Sequence, residues 1–365
     1  MRFKEKEQIT ISLTGSCNLR CVYCYMPKEQ PSPEQELIDF NFCMRGISDF
    51  FQYSNSRCIR FFAGGEPTLA FPLMRRIAQA ARCLAGDSLR LELESNGFFS
   101  DEIADWISEN INYLWISCDG LPEIQNQQRP CPKHPEASKV IYKHILRFAQ
   151  EPGLQFGVRA TLQDVSAQAQ ISMIDFFHSL GVTNVCASPV FSSYANEKAQ
   201  TANVLGFAKG FVPAYQHAKG LEMQYLSLLM INFDEPTDIY CQASIPTPRL
   251  TRDGYVSCCD WAAVGPGRIP KWMEPCIFGR YDPKQDVIHY DIEKIEQIRQ
   301  RNADYLGDRA CQGCPALRHC AGGCIGKVMS HSKNMFQTSD PWCEAVRYLY
   351  QHLKLEKGDI TVLHP

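Results

Sequence analysis

Cys17, Cys21 and Cys24 stand in GSCNLRCVYCYMP, separated by three and then two residues, directly after the apolar run ITISL. Three thiolates at that spacing can hold three irons of a 4Fe–4S cluster and leave the fourth iron free to bind something else. Electron-carrying clusters close all four corners with cysteine, and structural zinc sites use all four of their positions too. An open corner implies chemistry at that iron. A second array, CQGCPALRHCAGGC, sets Cys311, Cys314, Cys320 and Cys324 at C-x2-C-x5-C-x3-C; Cys241, Gly254 and Cys259 precede it and Cys343 follows. This region is dense in Gly and Pro and poor in long apolar periodicity, so metal is expected to supply part of its folding energy. C-x2-C pairs also serve zinc, the structural alternative for this array read by itself.

The elements that must position these thiols follow from the apolar pattern. Six β-type runs, 9–13, 58–63, 89–95, 113–118, 155–161 and 184–190, alternate with helical stretches at 34–53, 71–85, 101–110, 135–150 and 167–180. That is the rhythm of repeated βα units, which close into a partial barrel or lie open as a doubly wound sheet. The strand ends are polar: Cys17, Gly64-Gly65-Glu66-Pro67, Ser95-Asn96-Gly97, Ser117 with Asp119-Gly120, Arg159 with Thr161, and Ser188. In βα architectures the carboxyl ends of the strands build the active site, so the triplet and these groups are expected at one mouth. A helical connector is expected within 191–235, and IEKIEQIRQ (292–300) and CEAVRYLYQHLKL (343–355) read as helices of the second unit.

The chain has 365 residues, enough for two domains. With 37 Lys plus Arg against 40 Asp plus Glu, the charge of −3 favours neither nucleic acid nor an anionic membrane. The N-terminal stretch carries no signal-like apolar segment and no run is long enough to span a bilayer, so a cytoplasmic protein is expected. Eighteen cysteines in a reducing compartment speak for metal ligation over disulfides.

Together these motifs resemble the radical S-adenosylmethionine (SAM) enzymes with a C-terminal SPASM domain. The resemblance implies a partial (β/α)6 barrel over 1–225, then a connector and a small α+β cluster-binding domain over 226–365. It implies three 4Fe–4S clusters: one on Cys17, Cys21 and Cys24, one on Cys311, Cys314, Cys320 and Cys343, and one on Cys241, Cys259 and Cys324, for whose missing ligand Cys258 and Cys276 are candidates. Tyr23 would lie near the adenine of SAM, Gly64-Gly65-Glu66-Pro67 would engage its amino group, and Ser117, Arg129 and Arg159 its ribose and carboxylate.

Within that group the chain looks most like the anaerobic sulfatase-maturating enzymes, where Asp260 would accept a proton. The expected activity is an oxidoreductase that generates a 5′-deoxyadenosyl radical and oxidises a side chain of a peptide or protein, with an electron donor such as flavodoxin or ferredoxin. The alternatives are a dehydrogenase of a small alcohol or aminosugar, and a peptide epimerase using one of the unassigned thiols Cys118, Cys131 and Cys186. With only 16 residues before Cys17, no N-terminal peptide-recognition domain is expected.

Overall fold

The computed structural model describes residues 7–26, 37–62, 64–193, 196 and 202–360. Residues 34–36 of the first expected helix, Ala63 of the second expected strand, and part of the expected connector lie outside them. Strands β1 (Ile9–Ile11), β2 (Cys58–Phe61), β3 (Arg90–Ser95), β4 (Tyr113–Ser117), β5 (Gln155–Leu162), β6 (Asn184–Pro189) and β7 (Gln224–Leu226) are parallel neighbours in chain order. Between them run α1 (Phe40–Tyr53), α2 (Phe71–Ala85), α3 (Asp101–Asn110), α4 (Pro122–Gln128) with α5 (Ala137–Ala149), α6 (Ala167–Ser179) and α7 (Val204–Gly220). The strand order never reverses. Right-handed crossovers therefore put every helix on one face, whereas a doubly wound sheet needs a reversal. The chain forms the partial barrel, with a seventh parallel strand beyond the six expected.

Alternation within the strands gives the barrel its two faces. Ile9, Ile11, Ile59, Phe61, Leu91, Leu93, Leu114, Ile116 and Val158 are buried apolar positions of one phase, in register across β1 to β5. The opposite phase carries Thr10, Arg60, Glu92, Glu94, Ser117 and Arg159. The charges are therefore directed to the concave side. Helix starts follow their caps: Asp39 accepts from the Phe42 amide at 2.8 Å and so begins α1 at residue 40.

The C-terminal third does not fold apart from this sheet. β8 (Arg249–Leu250) pairs in parallel with β1, and β9 (Tyr255–Ser257), β10 (Ile277–Asp282) and β11 (Val287–Tyr290) continue antiparallel, giving eleven strands in one sheet. Residue 225 falls inside β7. Beyond the sheet come α8 (Ile292–Arg299), α9 (Ala303–Gly307), α10 (Leu317–Cys320), α11 (Ile325–Ser332) and α12 (Asp340–His352), the last packed on α7. Among the described residues no helix is long and apolar enough to cross a membrane.

Candidate active site at the barrel mouth

The loop after β1 carries the cysteine triplet, and the loop after β2 is pressed against it. The Gly65 amide donates to the Thr14 carbonyl at 2.8 Å and the Glu66 amide to that of Ser16 at 2.7 Å. A Cβ on Gly65 would sit 1.9 Å from the Ser16 oxygen, and Gly64 has φ +94° with the Thr14 oxygen 2.6 Å from its Cβ position. Glycine is required at both places for this approach. Pro67 opens the short 3-10 turn that follows, and Glu66 caps it.

The Glu66 carboxylate is buried. Its Oε1 accepts from the Thr68 amide (3.1 Å), the Thr68 hydroxyl (2.7 Å) and the Ser95 hydroxyl (2.7 Å), and among the described residues its Oε2 accepts only from the Asn96 amide (2.7 Å). Burial raises its pKa and these donors oppose the rise. Oε2 keeps a lone pair for a further donor. Asn96 also places its side-chain amide 3.7 Å from the Cys17 sulfur. The three cysteines border one cavity of about 530 Å³ together with Glu66, Asn96, Ser117 and Arg129. Burial pushes the Cys17 thiol up to about 11 and that of Cys21 up to about 12.

Asp119, at the end of β4, organises the next layer. It accepts from the Tyr23 hydroxyl, from the Thr161 amide at 2.9 Å, and pairs with Arg129 at 3.1 Å. Arg129 in turn reaches the Cys21 sulfur at 3.9 Å and lies over the Tyr23 ring. Deeper inside, charges alternate along a chain: Arg159 to Glu94 (2.5 Å), Glu94 to Arg60 (3.2 Å), Arg60 to Asp260 (2.6 Å) and Asp260 to Arg249 (2.9 Å). Burial alone would raise the pKa of Asp260, but the Arg249 and Arg60 guanidiniums outweigh it and hold the carboxyl below the usual range.

A second cavity, about 230 Å³, shares Cys21, Cys24, Tyr25, Glu94, Ser117 and Arg129 with the first. Its own walls add Tyr23, Arg159, Cys186, Phe191, Trp261 and Lys327. Tyr23 thus borders this smaller space, while Tyr25 borders both and stacks on Trp261 with centroids 5.6 Å apart. Of the thiols Cys118, Cys131 and Cys186, the walls of these two cavities contain only Cys186. Asp260 lies one residue before Trp261 and lines neither.

The C-terminal thiols fall into two neighbourhoods. Cys241 and Cys259 each interact electrostatically with Cys324, and Cys311 with Cys314 and Cys343; Cys320 feels Cys343 and Cys311. Cys258 and Cys276 face each other, with the Cys276 sulfur 3.7 Å from that of Met329. Arg301 is fully buried between the two neighbourhoods, donating to the carbonyls of Ala321 (3.1 Å) and Gly322 (2.7 Å). Among the described residues no three His, Cys, Asp or Glu side chains converge as the ligands of a single ion would. The triplet borders one cavity. Cavity, sulfur-directed donors and the free lone pair of Glu66 fit a cluster with an amino-bearing ligand.

Asn96 and Asp119 stand at the mouth as their strand-end positions predict; residues that the sequence pattern does not single out include Asn18, Arg60, Glu94, Arg301 and Lys327. The alternation in RLELES did signal that Glu92 and Glu94 face together; nothing local signalled the partners of Arg301 or Lys327.

The sequence profile of the radical SAM superfamily matches residues 11–143. The Fe-coproporphyrin III synthase of Methanosarcina barkeri is 26% identical over 50% of this chain and 44% of its own length. The cysteine-type anaerobic sulfatase-maturating enzyme of Clostridium perfringens is 28% identical over 32% of this chain and 33% of its own. The match thus spans less than half of either relative. Among solved structures, native anSMEcpe with bound AdoMet superposes with a TM-score of 0.69 at 16% identity, over 94% of this chain and 96% of that one. SuiB of Streptococcus suis bound to S-adenosylmethionine gives 0.61 at 14%, over 93% and 77%. The chain therefore carries a radical SAM domain, on a fold it shares with anSMEcpe and SuiB.

Proposed function

We propose that this chain is a radical SAM enzyme that modifies a side chain of a peptide or protein by oxidation. One observation carries the reading: the thiol-bordered cavity shares walls with a second, substrate-sized space at the same barrel mouth. Cys17, Cys21 and Cys24 would hold a 4Fe–4S cluster, and Glu66 Oε2 would accept from the amino group of SAM. Ser117 and Arg129 border the same space and would hold the ribose and carboxylate; Arg159 reaches it only from the second cavity. When bound, the cluster and SAM supply removal of a hydrogen atom from substrate. The remaining thiols would hold two auxiliary clusters, and a small electron-transfer protein of the flavodoxin or ferredoxin type would reduce the centre. Asp260 would take the proton released on oxidation from outside the two cavities, its carboxylate engaged by Arg60 and Arg249.

A peptide substrate is supported by the proteins the fold resembles, which include anSMEcpe with bound AdoMet and Cp18Cys peptide and SuiB bound to its precursor peptide SuiA. Epimerisation is the second reading, favoured by Cys186 in the wall of the substrate space, a thiol that burial pushes up to about 11 and so keeps protonated. The test is anaerobic. Reconstituted, reduced protein is incubated with SAM and a sulfatase-type peptide carrying Cys or Ser. Peptide-stimulated 5′-deoxyadenosine with hydrogen loss from the peptide supports oxidation. Unchanged peptide mass in ordinary water together with gain of one solvent deuterium at an α-carbon in heavy water, abolished in Cys186→Ala, supports epimerisation. Absence of SAM cleavage by protein with intact clusters refutes both.

A further inference from the structure

Lys327 lies in the first turn of α11, and the residue is only 7% exposed. Its ammonium sits 4.0 Å from the Phe191 ring centroid and 5.3 Å from that of Trp342. Among the described residues it makes no ion pair or side-chain hydrogen bond. Burying an ammonium without a counterion is costly, and two aromatic faces recover part of that cost. The side chain points into the smaller cavity, opposite Arg159. Arg159 is itself half-committed, giving one nitrogen to Glu94.

The nearby carboxylates are already paired, and the groups that act on the lysine's charge are the thiols of Cys324 and Cys186 and the guanidinium of Arg159. Glu92, Glu94 and Asp260 balance Arg60, Arg159 and Arg249 one for one. Among the described residues Lys327 is thus the cation on this wall without a carboxylate partner, and it faces a half-open space. At about 230 Å³ that space is smaller than the cavities that engulf whole drug-sized ligands, so it takes one residue of a longer substrate.

Building on the proposed peptide-modifying function, we infer that this cavity recognises its substrate through a carboxylate held by Lys327 with Arg159. An acidic side chain and a peptide C-terminus both supply that group. Either one would gain charge-assisted hydrogen bonds there, and would seat the residue beside it against the cavity shared with the cysteine triplet.

The experiment uses the full chain, loaded with iron and SAM, and three probes. N-acetylglutamate α-amide offers a side-chain carboxylate, N-acetylglutamine a terminal one, and N-acetylglutamine amide neither. Binding is followed calorimetrically and by the fluorescence of Trp261 and Trp342. At least one carboxylate probe is expected to bind about tenfold or more tighter than the neutral one. Lys327→Met removes that preference and Lys327→Arg keeps it, both with iron content unchanged. Equal binding of all three probes, no binding of any, or a preference that survives Lys327→Met overturns the inference. So does loss of iron in Lys327→Met, which reassigns the lysine to the neighbouring thiols. SAM retention by the wild type in the same samples reports separately on the proposed function.

Discussion

Asp260→Asn tests whether the alternating charge chain holds the barrel to the C-terminal strands. Asp260 joins Arg60 of β2 to Arg249 of β8. Asparagine has one acceptor oxygen where aspartate has two, so one guanidinium meets an N–H in its place. Removing one partner of a buried pair costs about 3–5 kcal/mol. Here Arg60 keeps Glu94 at 3.2 Å and the Asp260 side chain is 19% exposed, which brings the loss to the bottom of that range or just below it. We expect about 2–3 kcal/mol in urea unfolding of cluster-loaded protein at neutral pH. The sign of the pH dependence follows from the depressed carboxyl of Asp260. Its contribution is complete above the ordinary carboxylate pKa of about 4 and is lost as pH falls through the lower folded value. The wild-type-minus-variant difference should be flat through neutral pH and narrow only in acid. Arg249→Met should cost a similar amount, and the double variant less than the sum. Equal stability of Asp260→Asn and wild type at neutral pH, or a difference that widens in acid, would refute the argument.

Three further outcomes follow from the geometry. Gly65→Ala drives a Cβ into the Ser16 carbonyl at 1.9 Å; the cysteine loop must move, and iron analysis should show loss of one cluster's share. Glu66→Gln sets an amide against the donors around Oε1 or Oε2, and SAM affinity measured by equilibrium binding should fall about tenfold or more. Arg301→Met strands the Ala321 and Gly322 carbonyls at about 1–3 kcal/mol each; thermal unfolding should shift down and the auxiliary iron content fall, whereas retention of both would remove Arg301 from the role given it here.

The six strands and five of the intervening helices are legible because their alternation or periodicity is set by burial on one face; α4, at 7 residues, is too short to show one. The sequence reading did not find β7 or β8 to β11. QYL and RL are too short to carry a period, and they are strands because an edge of the sheet lies beside them. The last helix was read as starting at 343 and starts at Asp340, where Pro341 fits the first turn without needing a donor. Within the site, the thiols and the double glycine were visible by spacing. The ion pairs were not: Arg60 and Asp260 lie 200 residues apart, and no local pattern links a strand arginine to a carboxylate at that distance.

The pairing of β1 with β8 also sets an order of events during synthesis. The Thr10 amide finds the Pro248 carbonyl and the Ser12 amide that of Leu250, each at 3.0 Å. The first strand therefore leaves the ribosome with a partner that is not yet made, and its outer edge stays unpaired until residue 250 emerges. The cysteine triplet hangs from that edge. A chain stopped short of residue 248 would therefore present an open edge to its neighbours.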